Sequence, residues 1–219
     1  MRIPVWDAPV RVFHWLLAVL VVFSFTTGKV GGDWLEWHMR SGFAILAMLA
    51  FRIAWGFVGT DTARFVQFAR GPATAIAYAR ARLSGQAPAI LGHNPLGGWM
   101  VIAMLAVLAI QAFSGLFVDD EISTQGPLAV KASNAFVSRM GWLHHLNQWI
   151  VVGAVVLHLG AIATYQWGFR SDLIGPMVHG GASPAGIERR TAHPALAVAL
   201  FAAACAAVYY LVVVFPRSP

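Results

Sequence analysis

Histidines inside apolar stretches are the residues of this 219-residue sequence that are best suited to chemistry. Residues 142–168 are long and apolar enough to cross a bilayer, yet they contain His144, His145 and His158. Ionisable side chains are costly inside a membrane, so each of them indicates a functional site. An imidazole can bind a metal or relay a proton, and both kinds of chemistry have to be weighed here.

The spacing of His144 and His158 favours two metal centres, one above the other along a single helix. The two residues are 14 positions apart, which on an α-helix is a rotation roughly 40° short of four full turns and a rise of about 21 Å. Both imidazoles therefore lie near one face, one toward each edge of a hydrocarbon core about 30 Å thick. His145 is turned about 100° away from His144, so we interpret it as a neighbour and keep it as an alternative ligand.

The composition is that of an integral membrane protein. The sequence is 58% hydrophobic and 11% charged, whereas a soluble domain has about 25% charged residues. The net charge of +6 does not indicate nucleic-acid binding, because the basic residues lie in loops between apolar spans. The single cysteine, Cys205, excludes an intrachain disulfide, a multi-cysteine metal site and covalent haem attachment. Any cofactor would have to be held by histidines.

Five apolar stretches predict an all-α protein with five transmembrane helices. They cover residues 10–27, 38–57, 97–118, 142–168 and 195–215. Between the second and the third, the segment PATAIAYARARL predicts an amphipathic helix on the membrane surface. We expect residues 1–175 to form one domain, with residues 176–219 as a linker and an extra C-terminal helix.

The distribution of Lys and Arg predicts a cytoplasmic N-terminus and a C-terminus on the outer side of the membrane. With five spans, ten basic residues fall on the inner side and five on the outer side, where the acidic cluster 119–121 also lies. The inner ones are Arg2, Arg11, Arg52, Arg64, Arg70, Arg80, Arg82, Arg170, Arg189 and Arg190. The outer ones are Lys29, Arg40, Lys131, Arg139 and Arg217.

On this topology four histidines form two pairs, each matched in depth. His14 lies near the inner end of the first span, and His158 lies past the middle of the fourth. His38 and His144 are both predicted to open helices that begin outside. Zinc would need four ligands, and no carboxylate or thiol is available at these depths, whereas a haem iron needs two axial ligands. Bis-histidine ligation favours electron transfer, and a helix bundle can hold the macrocycle.

Two arginines lie near these histidines and are candidates to bind the haem propionates. Arg11 precedes His14 by three residues, and Arg40 follows His38 by two. Their alternative role is to anchor the helices at lipid headgroups. The remaining histidines, for which surface positions in loops are predicted, are His93, His179 and His193.

Three motifs resemble the prokaryotic cytochrome b561 family, which includes the b-type cytochrome subunits of nickel–iron hydrogenases. They are VRVFHWLLAVLV, EWHMRSGFAIL and WLHHLNQWIVVGAVVLHLGAIATY. The resemblance covers about residues 5–175 and implies a four-helix transmembrane bundle with two non-covalent b haems. It implies His14 and His158 on the inner haem iron, and His38 and His144 on the outer one.

The same resemblance implies a bacterial inner-membrane protein, with the C-terminus in the periplasm, that transfers electrons across the membrane, commonly between a quinone pool and a periplasmic partner. The opening WDAPVRVFHW is similar to members expected to work with c-type cytochromes. A quinone is therefore a candidate substrate, a c-type cytochrome or a dehydrogenase is a candidate partner, and a homodimer is compatible with the sequence. The fifth helix is extra to the four-helix core, so its role is open, as is whether the chain is itself an enzyme.

Three alternatives remain beside the electron relay. A quinone-linked oxidase of superoxide would favour a basic patch near the outer haem, but the outer loops hold five acidic and five basic residues. A haem-free transporter with a histidine proton relay predicts polar residues along the spans, where few occur. A membrane anchor would use structural haems and hold a partner enzyme through the fifth helix.

Overall fold

The computed structural model describes residues 5–88, 90, 92–120, 124–181 and 191–218. Within this part of the chain the protein is helical, and its only β-type pairing is an isolated bridge between Asp119 and Gln125. The α-helices are α1 (Ala8–Val30), α2 (Trp34–Val58), α3 (Phe65–Phe68), α4 (Pro72–Leu83), α5 (Pro95–Gly115), α6 (Asn134–Ala163), α7 (Ile174–His179) and α8 (Pro194–Tyr209). The topology residues Arg2, Glu121, Arg189 and Arg190 lie outside the described residues.

Five helices are long and apolar enough to cross a membrane, which is the number that the sequence predicts. They are α1, α2, α5, α6 with its π-helical extension to Gly168, and α8 with the turns that follow it to Arg217. The segment predicted as amphipathic is the helix α4, which buries Ala75 and Tyr78 and exposes most of its other residues.

Two helix starts differ from the prediction. His144 does not open α6, because Ser133 caps the helix: its side chain accepts a hydrogen bond from the Phe136 N–H, so α6 begins in the preceding loop. His38 does not open α2 either. The chain reverses at Gly31 and Gly32, whose φ angles of 71° and 56° suit glycine, and α2 begins directly afterwards at Trp34. Both histidines therefore lie inside regular helix, where their side-chain directions are fixed.

Helix α2 is the centre of the packing. Half of its apolar span is buried, and it contacts α1, α5 and α8. Trp55 is fully buried and stacks on Phe51, and Phe51 in turn contacts Phe201 of α8 edge to face at 5.8 Å. The small residues Ala197 and Ala204 of α8 belong to the same buried cluster. Helix α8 is thus attached to the bundle through α2.

The spanning helices form two hairpins that meet mainly through α2 and α5. Helix α1 packs along α2, and α6 packs along α5. In the described residues α6 approaches α1 and α2 only sparsely. Side chains rather than backbones therefore bridge α6 to the first hairpin.

The first and the last described residues lie at opposite ends of the bundle. At the N-terminal end, the Trp6 N–H donates to the Gly180 carbonyl at 3.1 Å. At the C-terminal end, the Lys131 ammonium donates to the Ser218 carbonyl and lies over the Phe215 ring. The described chain therefore begins at one end of the bundle and finishes at the other, as expected for an odd number of spanning helices.

Candidate cofactor site

The structure brings four of the predicted site residues together in two pairs. In the first pair, toward the N-terminal end, the His14 and His158 ring centres are 6.2 Å apart. In the second pair, toward the C-terminal end, the His38 and His144 ring centres are 6.0 Å apart. Each pair joins α6 to the other hairpin, the first through α1 and the second through α2.

These separations fit two imidazoles that share one metal. A metal–imidazole bond is about 2 Å and the ring centre lies about 1 Å behind the nitrogen, so two ligands on opposite sides of one metal are about 6 Å apart, centre to centre. No group of three or more His, Cys, Asp or Glu side chains converges in the described part of the chain. Each pair therefore offers two imidazole nitrogens to a metal. This suits a metal whose other ligands come from a macrocycle.

His38 is held in the orientation that a metal ligand requires. Its Nδ1–H donates to the Ser24 carbonyl of α1 at 2.8 Å, and the Ser24 hydroxyl oxygen lies 3.3 Å from the same nitrogen. A carbonyl oxygen only accepts, so the proton of His38 is on Nδ1 and the Nε2 lone pair is available. Metal-binding histidines commonly have their second nitrogen fixed in this way.

His144 has the same arrangement on α5. Its Nδ1–H donates to the Gln111 carbonyl at 3.0 Å, with the Ser114 hydroxyl oxygen at 3.2 Å. The Gln111 side-chain amide donates to His144 Nε2 at 3.1 Å, which independently identifies Nε2 as the unprotonated nitrogen. Asn147 donates to the Gln111 side-chain oxygen at 2.8 Å and sets the orientation of that amide. A metal bound at His144 Nε2 would take the place of the hydrogen bond from the Gln111 side-chain amide.

Two glycines allow the second pair to approach its supporting helices. A Cβ at Gly28 of α1 would lie 2.8 Å from His38 Nδ1, and a Cβ at Gly115 of α5 would lie 2.9 Å from His144 Cε1. Real Cβ atoms do not come this close to another heavy atom, so any other residue would displace the rings. Glycine is thus required for the hydrogen bonds that orient both imidazoles.

The first pair lacks such support. His14 Nδ1 is buried and has no hydrogen-bond partner in the described structure. Its ring instead contacts Trp15 edge to face, with centres 4.9 Å apart. A buried nitrogen without a partner is unusual in a folded protein.

Three further candidates from the sequence, His145, Arg11 and Arg40, are not members of either pair. His145 is exposed, and its ring contacts that of His144. Arg11 donates to the Val178 carbonyl at 2.7 Å, and Arg40 forms an exposed salt bridge with Glu36 one turn earlier in α2. Both guanidinium groups therefore already have protein partners.

Sequence reasoning missed a buried polar cluster at the N-terminal end. The Asp7 carboxylate caps α1 through the Val10 N–H and also accepts hydrogen bonds from Trp55 Nε1 and the Thr60 hydroxyl. Arg52 of α2 is only 2% exposed. An arginine inside an apolar run is a signal that could have found this cluster.

His93 lies in a loop, as predicted, but its side chain is half-buried and not at the surface. Its ring lies between Trp6 and Phe68, at 4.5 and 4.6 Å between ring centres, because the link between α4 and α5 folds under the N-terminal end. Burial, assisted by the positive charge of Arg52, lowers the pKa of His93 to about 3. His93 is therefore neutral at physiological pH.

Membrane-length helices that carry facing imidazoles with oriented nitrogens define a class: helical membrane proteins that hold haem between two histidines. The comparison with known sequences identifies one family within this class. The profile of the prokaryotic cytochrome b561 family matches residues 5–180, and the chain belongs to that family. The resemblance read from the three motifs is thereby confirmed.

Curated relatives that match the chain are named as hydrogenase cytochrome subunits. The chain is 26% identical over 208 residues to a probable Ni/Fe-hydrogenase B-type cytochrome subunit of Azotobacter chroococcum mcd 1, covering 80% of this chain and 86% of that protein. It is 23% identical over 214 residues to the protein of that name from Rhizobium leguminosarum bv. viciae, covering 80% and 87%. No solved structure matches the chain.

Family membership and the five apolar helices together establish the general function. The protein is a multi-pass membrane cytochrome that binds b-type haem and takes part in electron transport. The family match ends at residue 180, before α8 begins.

Proposed function

We propose that the chain holds two b haems, one at each histidine pair, and relays electrons between the two faces of a bacterial inner membrane. His14 and His158 would bind the inner haem iron, and His38 and His144 the outer one. The observation that carries this proposal is the separation of the rings, 6.2 and 6.0 Å, at two levels of the same bundle.

The residues of the chain set the geometry of the relay. A bound haem would supply a one-electron Fe(III)/Fe(II) couple, and the two histidines of each pair would hold its iron. Helix α6 is continuous from His144 to His158, so it holds the two levels about 21 Å apart along its axis. Helices α1 and α2 supply the opposing imidazoles, and Arg11 and Arg40 are candidates for the propionates if they exchange their present partners.

The proposed orientation places the N-terminal end in the cytoplasm and the C-terminal end in the periplasm. Electrons would pass between the quinone pool and a periplasmic redox partner. The relatives are named as hydrogenase subunits, so a hydrogenase-like enzyme is the first candidate partner, ahead of another dehydrogenase or a c-type cytochrome.

We propose residues 1–175 as the di-haem core and residues 176–219 as a linker and an additional membrane helix. The end of the family match at residue 180 supports this division. The packing of α8 also supports it, because α8 contacts α2 at Phe51, whereas His38 of the second pair lies near the start of α2.

The test is haem quantification, by pyridine haemochrome and reduced-minus-oxidised spectra, on purified wild type and single variants. We expect two haems per chain in the wild type and one in each of His14→Ala, His158→Ala, His38→Ala and His144→Ala. His145→Ala is the matched control, because its imidazole is exposed beside His144 and should be dispensable. Absence of haem from the wild type, or loss of haem from His145→Ala but not from His144→Ala, would contradict the assignment.

A further inference from the structure

We infer that Ser24 and Ser114 are positioning residues that lower the reduction potential of the iron at the second pair below that at the first. The inference rests on the proposed function, because it concerns haem irons held by these four histidines. It assigns a role to two serines and two backbone carbonyls that touch the ligands without binding the metal.

The two histidines of the second pair have the same kinds of neighbouring groups, one set in each hairpin. In each hairpin the first helix offers the imidazole of the second helix a backbone carbonyl, a serine hydroxyl and a glycine. On α1 these groups come from Ser24 and Gly28, and His38 Nδ1 lies 2.8 Å from the carbonyl oxygen and 3.3 Å from the hydroxyl oxygen.

On α5 the same three groups surround His144 Nδ1. The Gln111 carbonyl is at 3.0 Å, the Ser114 hydroxyl oxygen is at 3.2 Å, and Gly115 makes room for the ring. The Ser114 hydroxyl donates its own hydrogen to the Gln111 carbonyl, so its oxygen faces the imidazole as an acceptor. Both serines are buried, at 8% and 0% exposure, so water does not compete for these contacts.

The first pair offers the opposite situation. His14 Nδ1 is buried and has no hydrogen-bond partner in the described structure. With Nε2 on the metal, its Nδ1–H would have nothing to donate to. The two sites therefore differ in the hydrogen bonding of their histidines, although the distances between the ring centres are nearly equal.

This difference acts on the metal through the basicity of the ligand. An imidazole that donates a hydrogen bond from one nitrogen is a stronger electron donor at the other. Stronger donation stabilises Fe(III) relative to Fe(II), and hydrogen bonding around the axial ligands is one of the means by which a protein sets a haem potential. A preference for Fe(III) tenfold greater at the second pair than at the first corresponds to 59 mV for a one-electron couple.

The experiment is a spectroelectrochemical titration of the purified, haem-loaded protein. His14→Ala and His158→Ala each isolate the haem at the second pair, while His38→Ala and His144→Ala isolate the other. Ser24→Ala and Ser114→Ala each remove one hydroxyl. The matched control is Ser41→Ala, since Ser41 is also buried, at 5% exposure, and its hydroxyl donates to the His38 backbone carbonyl.

We expect the haem isolated at the second pair to have the lower midpoint potential, by an amount equivalent to at least a tenfold change in the Fe(III) preference. Ser24→Ala and Ser114→Ala should raise that potential by a smaller step, additively in the double variant, while Ser41→Ala moves neither potential. A lower potential at the first pair, or serine variants that behave like Ser41→Ala with both haems retained, would overturn the inference. A protein with fewer than two haems would instead refute the proposed function, and haem stoichiometry separates the two failures.

Discussion

Glycines 28 and 115 decide how closely the second pair can approach α1 and α5. A methyl group at either position would come within 3 Å of an imidazole atom, and the ring would have to turn away from its carbonyl partner. Substituting either glycine therefore tests the site while every histidine stays in place.

We predict that Gly28→Ala and Gly115→Ala each lose most of the haem at the second pair and keep that at the first. The matched control is Gly160→Ala on α6, because Gly160 is exposed and a Cβ there meets no atom within 4 Å. Haemochrome quantification measures the result. Equal haem content in Gly115→Ala and Gly160→Ala would show that the close contact does not constrain the imidazole.

His93 makes stability depend on pH. Its pKa of about 3 in the folded protein lies below the value of about 6.5 in an unfolded chain. Between these values only the unfolded chain takes up the proton, so the free energy of unfolding falls as the pH is lowered through this window. The slope is at most about 1.4 kcal/mol per pH unit.

The variant His93→Phe should flatten this dependence, because it keeps a ring between Trp6 and Phe68 and removes the titrating group. Thermal unfolding of wild type and variant in detergent, at a series of pH values from about 7 to 4, measures the difference. An unchanged slope in His93→Phe would mean that other groups cause the acid sensitivity.

Residue types alone predicted which histidines to consider, because imidazoles are rare in apolar spans. Residue types could not predict which groups hold the histidine side chains in position. The acceptors of the Nδ1 protons are backbone carbonyls of Ser24 and Gln111, and every residue has a carbonyl, so no sequence pattern marks them. His93 was misjudged for a related reason: its burial comes from the folding of a loop, not from local hydrophobicity.

At the scale of elements, α8 is attached to the bundle by small residues. Ala204 is buried against the cluster around α2, while its neighbour Ala203 is exposed. We predict that Ala204→Leu lowers the stability by about 1–3 kcal/mol through overpacking, and that Ala203→Leu does not. Thermal unfolding monitored by the haem absorbance compares the two; equal melting temperatures would place the α2–α8 contact elsewhere.

Helix number followed directly from sequence because spanning length and apolar composition are local properties. Helix starts did not, because a cap such as Ser133 depends on a single side-chain hydrogen bond. The packing centre was also hidden: the histidine-rich α6 stands out in the sequence, yet α2 is the helix that contacts α1, α5 and α8.

For the whole molecule, the two ends can be assigned to the two membrane faces by labelling. Val130 in the α5–α6 link is exposed at the C-terminal end, and Ser84 is exposed after α4 at the other. In a Cys205→Ser background, we predict that Val130→Cys reacts with a membrane-impermeant maleimide in intact cells, while Ser84→Cys reacts only after lysis. The reverse pattern would invert the proposed orientation.

Both histidine pairs join residues that are distant in the chain, since α6 supplies one imidazole to each. More than a hundred residues separate His38 from His144, and translation at about 5–20 residues per second takes on the order of ten seconds to cover them. If the pairs hold haem as proposed, α1 and α2 would wait through that interval without the opposing imidazoles of α6. Haem capture would then be a late event in biogenesis, and a chain that ends before α6 would be unable to complete either site.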